Sequence, residues 1–243
     1  MARKVAKSVS LIERWRTWAP VAVLLLLCFV ITIVSPNFLS LGKFSRLLNS
    51  AAIPVVLAMG MTFIILMGSI DLSVEGNIAV TAVASSMLVV NDYTEIAIGL
   101  AAVPIAVLLG GALGLANGLL HVRLKTPSFM TTLGVGFAGV GIATAILEGA
   151  TVRVSDQVFR GLSLGRFLGM PMAVWIAALA VIIALTIQER TRLGRWLYAI
   201  GTDEMTARHA GIPIERTRIA IFTVAGLFYG LGGVLSVAQF GQG

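Results

Sequence analysis

Residues 189–218, ERTRLGRWLYAIGTDEMTARHAGIPIERTR, form the longest polar interval in an otherwise apolar sequence. In its first part, four apolar side chains recur at i, i+3, i+4 and i+7: Leu193, Trp196, Leu197 and Ile200. This spacing puts them on one face of a helix, with arginines on the other. We predict a helix over 190–200 that lies along a membrane surface, with Trp196 and Tyr198 near the lipid headgroups.

A second, shorter helix is predicted after Gly201, which breaks the first pattern. Thr202 is the predicted N-cap, because its hydroxyl can accept a hydrogen bond from a free backbone N–H. Acidic residues in the first turn and a basic residue in the last suit the helix dipole. A glycine just beyond the last turn suits a left-handed C-terminus. These residues are Asp203, Glu204, Arg208 and Gly211. A helix over 203–210 is too short to be stable alone in water, so we expect it to dock against a partner.

The composition identifies a polytopic membrane protein. Of 243 residues, 58% are hydrophobic and 12% charged, with mean hydropathy +0.96, whereas soluble domains carry about 25% charged residues. The net charge of +7 follows from basic residues at the ends of apolar segments, which indicates membrane orientation and no nucleic-acid partner. The single cysteine, Cys28, excludes an internal disulfide.

We predict an all-α fold of about seven transmembrane helices. The predicted spans are 19–34, 48–67, 78–90, 96–120, 128–147, 172–187 and 219–240. The first is read as a retained span, because the following Ser-Pro-Asn-Phe at 35–38 is not a signal-peptide cleavage site. An odd number of spans without a polar tail suggests a single transmembrane domain over 1–243 that is incomplete at its C-terminus.

The basic residues predict a cytoplasmic N-terminus. With alternating spans, segments 1–18, 120–127 and 189–218 lie inside and hold thirteen of the 18 lysines and arginines; five lie outside. This bias follows the positive-inside rule. Residues 189–218 are therefore expected on the cytoplasmic side.

Glycine motifs within the spans predict close helix packing. GxxxG steps occur at Gly110, Gly114 and Gly118 and again at Gly226 and Gly230, and small residues let helix backbones approach in lipid. The alternative is that glycine is simply frequent in membrane spans. The GxGxxG match at 134–139 lies inside an apolar span rather than after a strand, so we do not interpret it as a nucleotide site.

Catalysis is not expected in this chain. The sequence lacks GxxxxGK[ST], and His121 and His209 have no metal-ligand partner at helical spacing. Asp71 and Glu75 are the acids of interest, since ionisable groups near membrane depth mark a pathway or a paired structural site. Both roles stay open: capping of a break between two spans, or contact with a substrate. Asn49, Thr62 and Asn117 are the polar candidates for a substrate path.

Four ordered segments resemble the permease subunits of ribose/xylose/galactose-type ABC importers. They are GMTFIILMGSIDLSV at 60–74, KTPSFMTTLG at 125–134, TRLGRWLYAIG at 191–201 and GTDEMTARHAGI at 201–212. The likeness runs from about residue 36 to the end of the chain. Two departures are that Glu75-Gly76 stands where the family commonly has Gly-Ser, and that the family continues for several more spans.

The resemblance implies that residues 203–211 are a coupling helix, which seats in a cleft of a separate ATP-hydrolysing subunit, and that 189–218 are the coupling loop. The implied coupling residues are Gly201, Asp203, Glu204, Ala207, Arg208 and Gly211. Ala207→Arg or Gly211→Val is expected to uncouple transport without preventing insertion.

The resemblance also implies the remaining partners: a second permease copy or paralogue, a periplasmic binding protein and the lipid of a bacterial inner membrane. ATP and Mg²⁺ would bind the ATPase and not this chain. The alternatives are a self-sufficient secondary transporter or channel, or an inactive truncated permease. The spans carry few ionisable residues for ion coupling, which favours the importer. The sequence does not specify which sugar or other solute is carried.

Overall fold

The structure, a computed structural model, describes residues 2–34 and 40–243, with side chains from residue 18 onward. The side chains of residues 1–17, whose basic members predict a cytoplasmic N-terminus, lie outside this description. The segment 35–38 lies outside it as well. The chain divides into two compact units, Met1–Leu47 and Leu48–Gly243. The first contains α1, Ala2–Val34, whose apolar part is Trp18–Val34.

The predicted all-α fold is confirmed. The other helices are α2 (Leu41–Leu66), α3 (Val74–Met87), α4 (Ala102–Leu124, after a 3₁₀ turn Gly99–Ala101), α5 (Ser128–Leu147), α6 (Gln157–Leu164), α7 (Met172–Arg190), α8 (Arg192–Thr202), α9 (Glu204–His209) and α10 (Ile214–Phe240). A two-residue antiparallel hairpin, β1 (Arg166–Phe167) and β2 (Met170–Pro171), precedes α7.

Five described helices are long and apolar enough to cross a membrane, so the prediction of seven spans needs correction. They are Leu41–Leu66, Gly99–Leu124, Ser128–Leu147, Met172–Arg190 and Ile214–Phe240. The predicted first span is the shorter apolar helix Trp18–Val34. The predicted third span is α3, whose 14 residues reach about 21 Å at 1.5 Å per residue, less than the roughly 30 Å of a bilayer core.

The centre of the second unit is α10. In its most apolar window 61% of the residues are buried, against 22–28% in the other four long helices. Gly226 and Gly230 of α10 face the glycines of α4: a Cβ on Gly226 would lie 2.9 Å from the Gly114 Cα, and one on Gly230 2.9 Å from the Ala106 carbonyl oxygen. The two predicted GxxxG motifs therefore pack against each other.

The GxGxxG glycines lie within α5, and two of them, Gly136 and Gly139, pack against the start of α3. A Cβ on Gly136 would lie 2.9 Å from the Leu72 carbonyl oxygen, and one on Gly139 2.8 Å from that of Gly76. Because the motif is continuous helix and follows no strand, its role here is close packing of two helices.

The second unit has two polar faces. One face holds residues 120–127 and 189–218, and we call it the α9 face. Here the α4–α5 connection meets the first turns of α10, and His121 packs against Phe222 with ring centroids 5.9 Å apart. On the opposite face, Val154 donates to the Gly241 carbonyl (2.9 Å) and Ser155 to that of Val90 (2.9 Å). Segments 120–127 and 189–218 thus share one face, as the predicted alternation requires.

Candidate functional site

Helix α8 confirms the predicted amphipathic pattern, but its apolar face is used differently from the prediction. Leu197 and Ile200 are buried within the core that α8 shares with α2, α7 and α10, while Arg192 and Arg195 are exposed. The helix therefore seats on the protein itself rather than presenting this face to lipid. The Thr191 hydroxyl caps it by accepting from the Gly194 N–H at 3.2 Å.

Gly201 does not break α8, contrary to the prediction, but lies within its last turn. A Cβ at this position would collide with the carbonyl oxygen of Leu66, the last residue of α2, and would lie 3.5 Å from the Met67 Cα. The glycine thus lets two backbones touch without an intervening side chain.

Helix α9 is capped by Asp203 and not by Thr202, which corrects the second prediction for this loop. The Asp203 carboxylate accepts from the Met205 N–H (2.9 Å), the Thr206 N–H (3.2 Å) and the Thr206 hydroxyl (2.6 Å). Thr202 instead ends α8 and donates to the Tyr198 carbonyl at 2.8 Å. Both residue types cap well, and α8 continues two residues further than the sequence predicts.

The bonds from Thr206 lower the pKa of the Asp203 carboxyl below its ordinary value. The charged cap is therefore fully present above the ordinary carboxylate range. Its contribution is lost as the pH falls through the lowered pKa.

Glu204 fastens α9 to α10. Its carboxylate pairs with Arg208 in the next turn at 3.1 Å and with Arg218 of α10 at 2.7 Å. Partial desolvation opposes the charged form of Glu204, but Arg218 and then Arg208 outweigh it, so the pKa is lowered. The pairs thus persist at neutral pH.

Ala207 faces inward. It is 3% exposed and belongs to the core cluster, so Ala207→Arg would first disturb the seat of α9. The following turn is closed by Gly211 at φ +77°, with the Ile212 N–H donating to the Ala207 carbonyl at 3.1 Å. A β-branched residue at Gly211 would be strained.

The outward surface of α9 carries residues that the sequence analysis did not select. Met205 is 63% exposed, and Thr206 and His209 are exposed beside it. A single exposed apolar side chain is ordinary on a protein surface, but Met205 lies on the outward side of the short capped helix, where it is accessible to a partner. The amphipathic signal that could have identified Met205 is weak in a helix of six residues.

Asp203→Ala should fray α9 while leaving α8 intact. The Met205 and Thr206 N–H groups would lose their acceptor, so their amide hydrogens should exchange several-fold faster. Hydrogen–deuterium exchange of the purified protein measures this. Thr202→Ala is the matched control, since its hydroxyl caps nothing, and equal exchange in both variants would contradict the assignment of the cap.

A second candidate region is the break between α2 and α3, residues 67–73, which we call the interrupted segment. Its backbone N–H groups find partners on a distant helix: Ile70 donates to Ser128 Oγ and Leu72 to Thr132 Oγ1, both at 3.0 Å. Serine and threonine hydroxyls allow such non-helical backbone within a membrane protein. Two residues of α5, one turn apart, thus take the place of a helical hydrogen-bond ladder.

Asp71 and Asn117 are brought together by Ser73. Both the N–H and the hydroxyl of Ser73 donate to Asp71 Oδ1 (2.8 and 2.6 Å), and Asn117 Nδ2 donates to Ser73 Oγ (2.7 Å). All three residues are buried. The buried Tyr229 hydroxyl of α10 makes no hydrogen bond to the described residues. This geometry fits the predicted role of Asp71 in fixing a break.

The other predicted path residues lie apart from this cluster. Glu75 is exposed in the first turn of α3, and the Thr62 hydroxyl donates to the Ala58 carbonyl of its own helix. The buried Asn49 Oδ1 has no hydrogen-bond partner within the described chain. Asn77, which the sequence analysis missed, is buried and donates to the Gly110 carbonyl at 3.0 Å. Among residues 2–34 and 40–243 there is no group of three potential metal ligands.

Comparison with known proteins places the chain in a permease family. The family described as "Branched-chain amino acid transport system / permease component" matches residues 44–243. The chain belongs to this permease family. The resemblance to sugar ABC importer permeases is thereby confirmed, and the permease is a multi-pass membrane protein.

Among its relatives, the ribose import permease protein RbsC of Escherichia coli K12 is 31% identical over 220 residues, which are 89% of the permease and 67% of RbsC. The L-arabinose transport system permease protein AraH of the same strain is 31% identical over 229 residues, 94% of the permease and 69% of AraH. RbsC of Bacillus subtilis is 31% identical over 222 residues, 89% and 66% of the two chains. A comparison with solved structures found no match.

Proposed function

We propose that the permease is the membrane subunit of an ATP-driven importer and that α9 is the element through which an ATPase subunit acts on it. The observation that carries this proposal is the construction of α9. A six-residue helix is capped by Asp203, tied to α10 through Glu204 and Arg218, and presents Met205 outward. A helix fixed so firmly on its inner side can transmit a push applied to its outer side.

The proposal includes the partners that such an importer requires. The α9 face is cytoplasmic, in a bacterial inner membrane, and receives an ATPase that binds ATP and Mg²⁺. A second permease copy or paralogue completes the path, and a periplasmic binding protein delivers the solute to the opposite face. The substrate is a sugar or similar small polar solute, since the relatives above are named for ribose and arabinose.

The charges of the α9 face fit this orientation. Its exposed basic residues are Arg123, Lys125, Arg190, Arg192, Arg195, Arg208 and Arg216. The positive-inside rule favours their retention in the cytoplasm. The importer changes its access only if the ATPase distinguishes two states of the permease, because a partner shifts an equilibrium only by its differential affinity.

The test is purification of the permease with a candidate ATPase subunit encoded next to it, followed by reconstitution with the neighbouring binding protein. The proposal predicts that the two proteins co-purify. It also predicts uptake of labelled sugar that requires ATP on the side of the membrane that carries the ATPase. Uptake that survives omission of the ATPase would overturn it in favour of a self-sufficient transporter. Failure of any neighbouring ATPase to co-purify would overturn the docking role of α9.

A further inference from the structure

The contact between α8 and α2 joins the α9 region directly to the interrupted segment. Gly201 stands three residues before the first residue of α9 and touches the carbonyl oxygen of Leu66. Leu66 is the last residue of α2, and residues 67–73 follow it without helical structure. Two regions that lie about 130 residues apart in sequence are therefore in backbone contact.

This contact is stiff because no side chain separates the two backbones. Long side chains change rotamer and absorb a displacement, whereas close-packed backbone transmits it. The neighbouring residues of α8, Leu197 and Ile200, are buried in the same core as Met67. A displacement of α8 therefore moves the start of the interrupted segment with it.

From Ile70 onward the interrupted segment is held by side chains and not by a helical ladder. Thr132 and Ser128 accept its N–H groups, and Asn117 reaches Ser73 from α4. Hydroxyl and amide partners can be exchanged one at a time, each at the modest cost of a single hydrogen bond. Continuous helix would have to break several bonds together.

We infer that Gly201 is the positioning residue that carries movement of α9 into residues 67–73, and that Thr132 holds these residues in the arrangement described here. The inference rests on the proposed function, since it needs an ATPase that moves α9. It names a route and two residues within the permease that the proposed function leaves unassigned.

A spin label can report on the interrupted segment. Ile70 is 55% exposed, so Ile70→Cys can be labelled in a Cys28→Ser background, Cys28 being the single native cysteine. The labelled permease is reconstituted in nanodiscs with its ATPase subunit and binding protein. The non-hydrolysable analogue AMP-PNP with Mg²⁺ should change the mobility of the label.

Gly201→Ala should reduce this response about tenfold, within the range by which residues linking two sites alter their coupling, because the added methyl group forces α8 away from Leu66. Gly141→Ala is the matched control, since a Cβ there meets no atom within 4 Å. An equal response in both variants would overturn the role of Gly201.

Thr132→Val provides a second test that adds no volume. It removes the acceptor of the Leu72 N–H, and the label should be more mobile even without nucleotide. Thr144→Val on the same helix is its control, because the Thr144 hydroxyl only donates to the Val140 carbonyl of α5. A label that is equally mobile in both variants would overturn the role of Thr132.

The outcomes separate the inference from the proposed function. An ATPase that binds and drives uptake while the label at position 70 never responds to AMP-PNP would overturn the inference alone. An ATPase that does not bind the unsubstituted permease would overturn both.

Discussion

Gly114→Leu is expected to prevent stable folding of the permease. A Cβ at Gly114 would lie 3.0 Å from the Gly226 Cα and would collide with the Phe222 carbonyl oxygen. Both obstacles are backbone of α10, the most buried long helix, so no rotamer change relieves the clash. Overpacking of a tight core costs about 1–3 kcal/mol or more, and here it also separates the two GxxxG surfaces on which α4 and α10 pack.

Size-exclusion chromatography and thermal unfolding in detergent would measure this effect. Gly114→Leu should give aggregated protein or a strongly lowered Tm. Gly134→Leu on α5 is the matched control, because a Cβ there meets no atom within 4 Å. A Gly114→Leu variant that melts like the Gly134→Leu variant would show that α4 and α10 do not pack as described.

Met205→Asp is expected to weaken binding of the ATPase subunit roughly thirtyfold, the effect of removing a central contact residue. The side chain is exposed, so the substitution should leave the fold of the permease unchanged. Aspartate at this site would place an unpaired charge in the contact and remove its apolar anchor. Titration of the ATPase subunit onto the permease in nanodiscs measures the Kd.

Leu168→Asp is the control for this experiment. Leu168 is 77% exposed and apolar but stands at the tip of the β1–β2 hairpin on the opposite face, at φ +50°, a conformation that aspartate tolerates. The Leu168→Asp variant should bind the ATPase subunit with the same Kd as the unsubstituted permease. Equal Kd values for the two variants would exclude Met205 from the contact.

Periodicity and spacing predicted those parts of the fold that local sequence decides. The bounds of α5 agree with the predicted span, and the apolar residues of α8 face one way as their spacing requires. The GxxxG glycines of α4 and α10 predicted close packing because small residues in lipid have few other uses. Which helices these glycines would join was not readable from either motif alone.

The errors arose where tertiary contacts decide the outcome. The sequence predicted a break between the second and third spans, but not that hydroxyls 58 and 60 residues away accept the N–H groups of Ile70 and Leu72 there. Gly201 remains helical and packs against Leu66, and the cap of α9 is Asp203 rather than Thr202. None of these contacts has a local signal.

Photo-cross-linking from α9 tests the central claim most directly. A photoreactive phenylalanine analogue replaces Met205 in one variant and Leu168 in another, in cells that also produce the ATPase subunit. Irradiation of intact cells should cross-link the ATPase to position 205 and not to position 168. A cross-link from position 168 with none from position 205 would contradict the account, because it would place the ATPase on the face opposite α9.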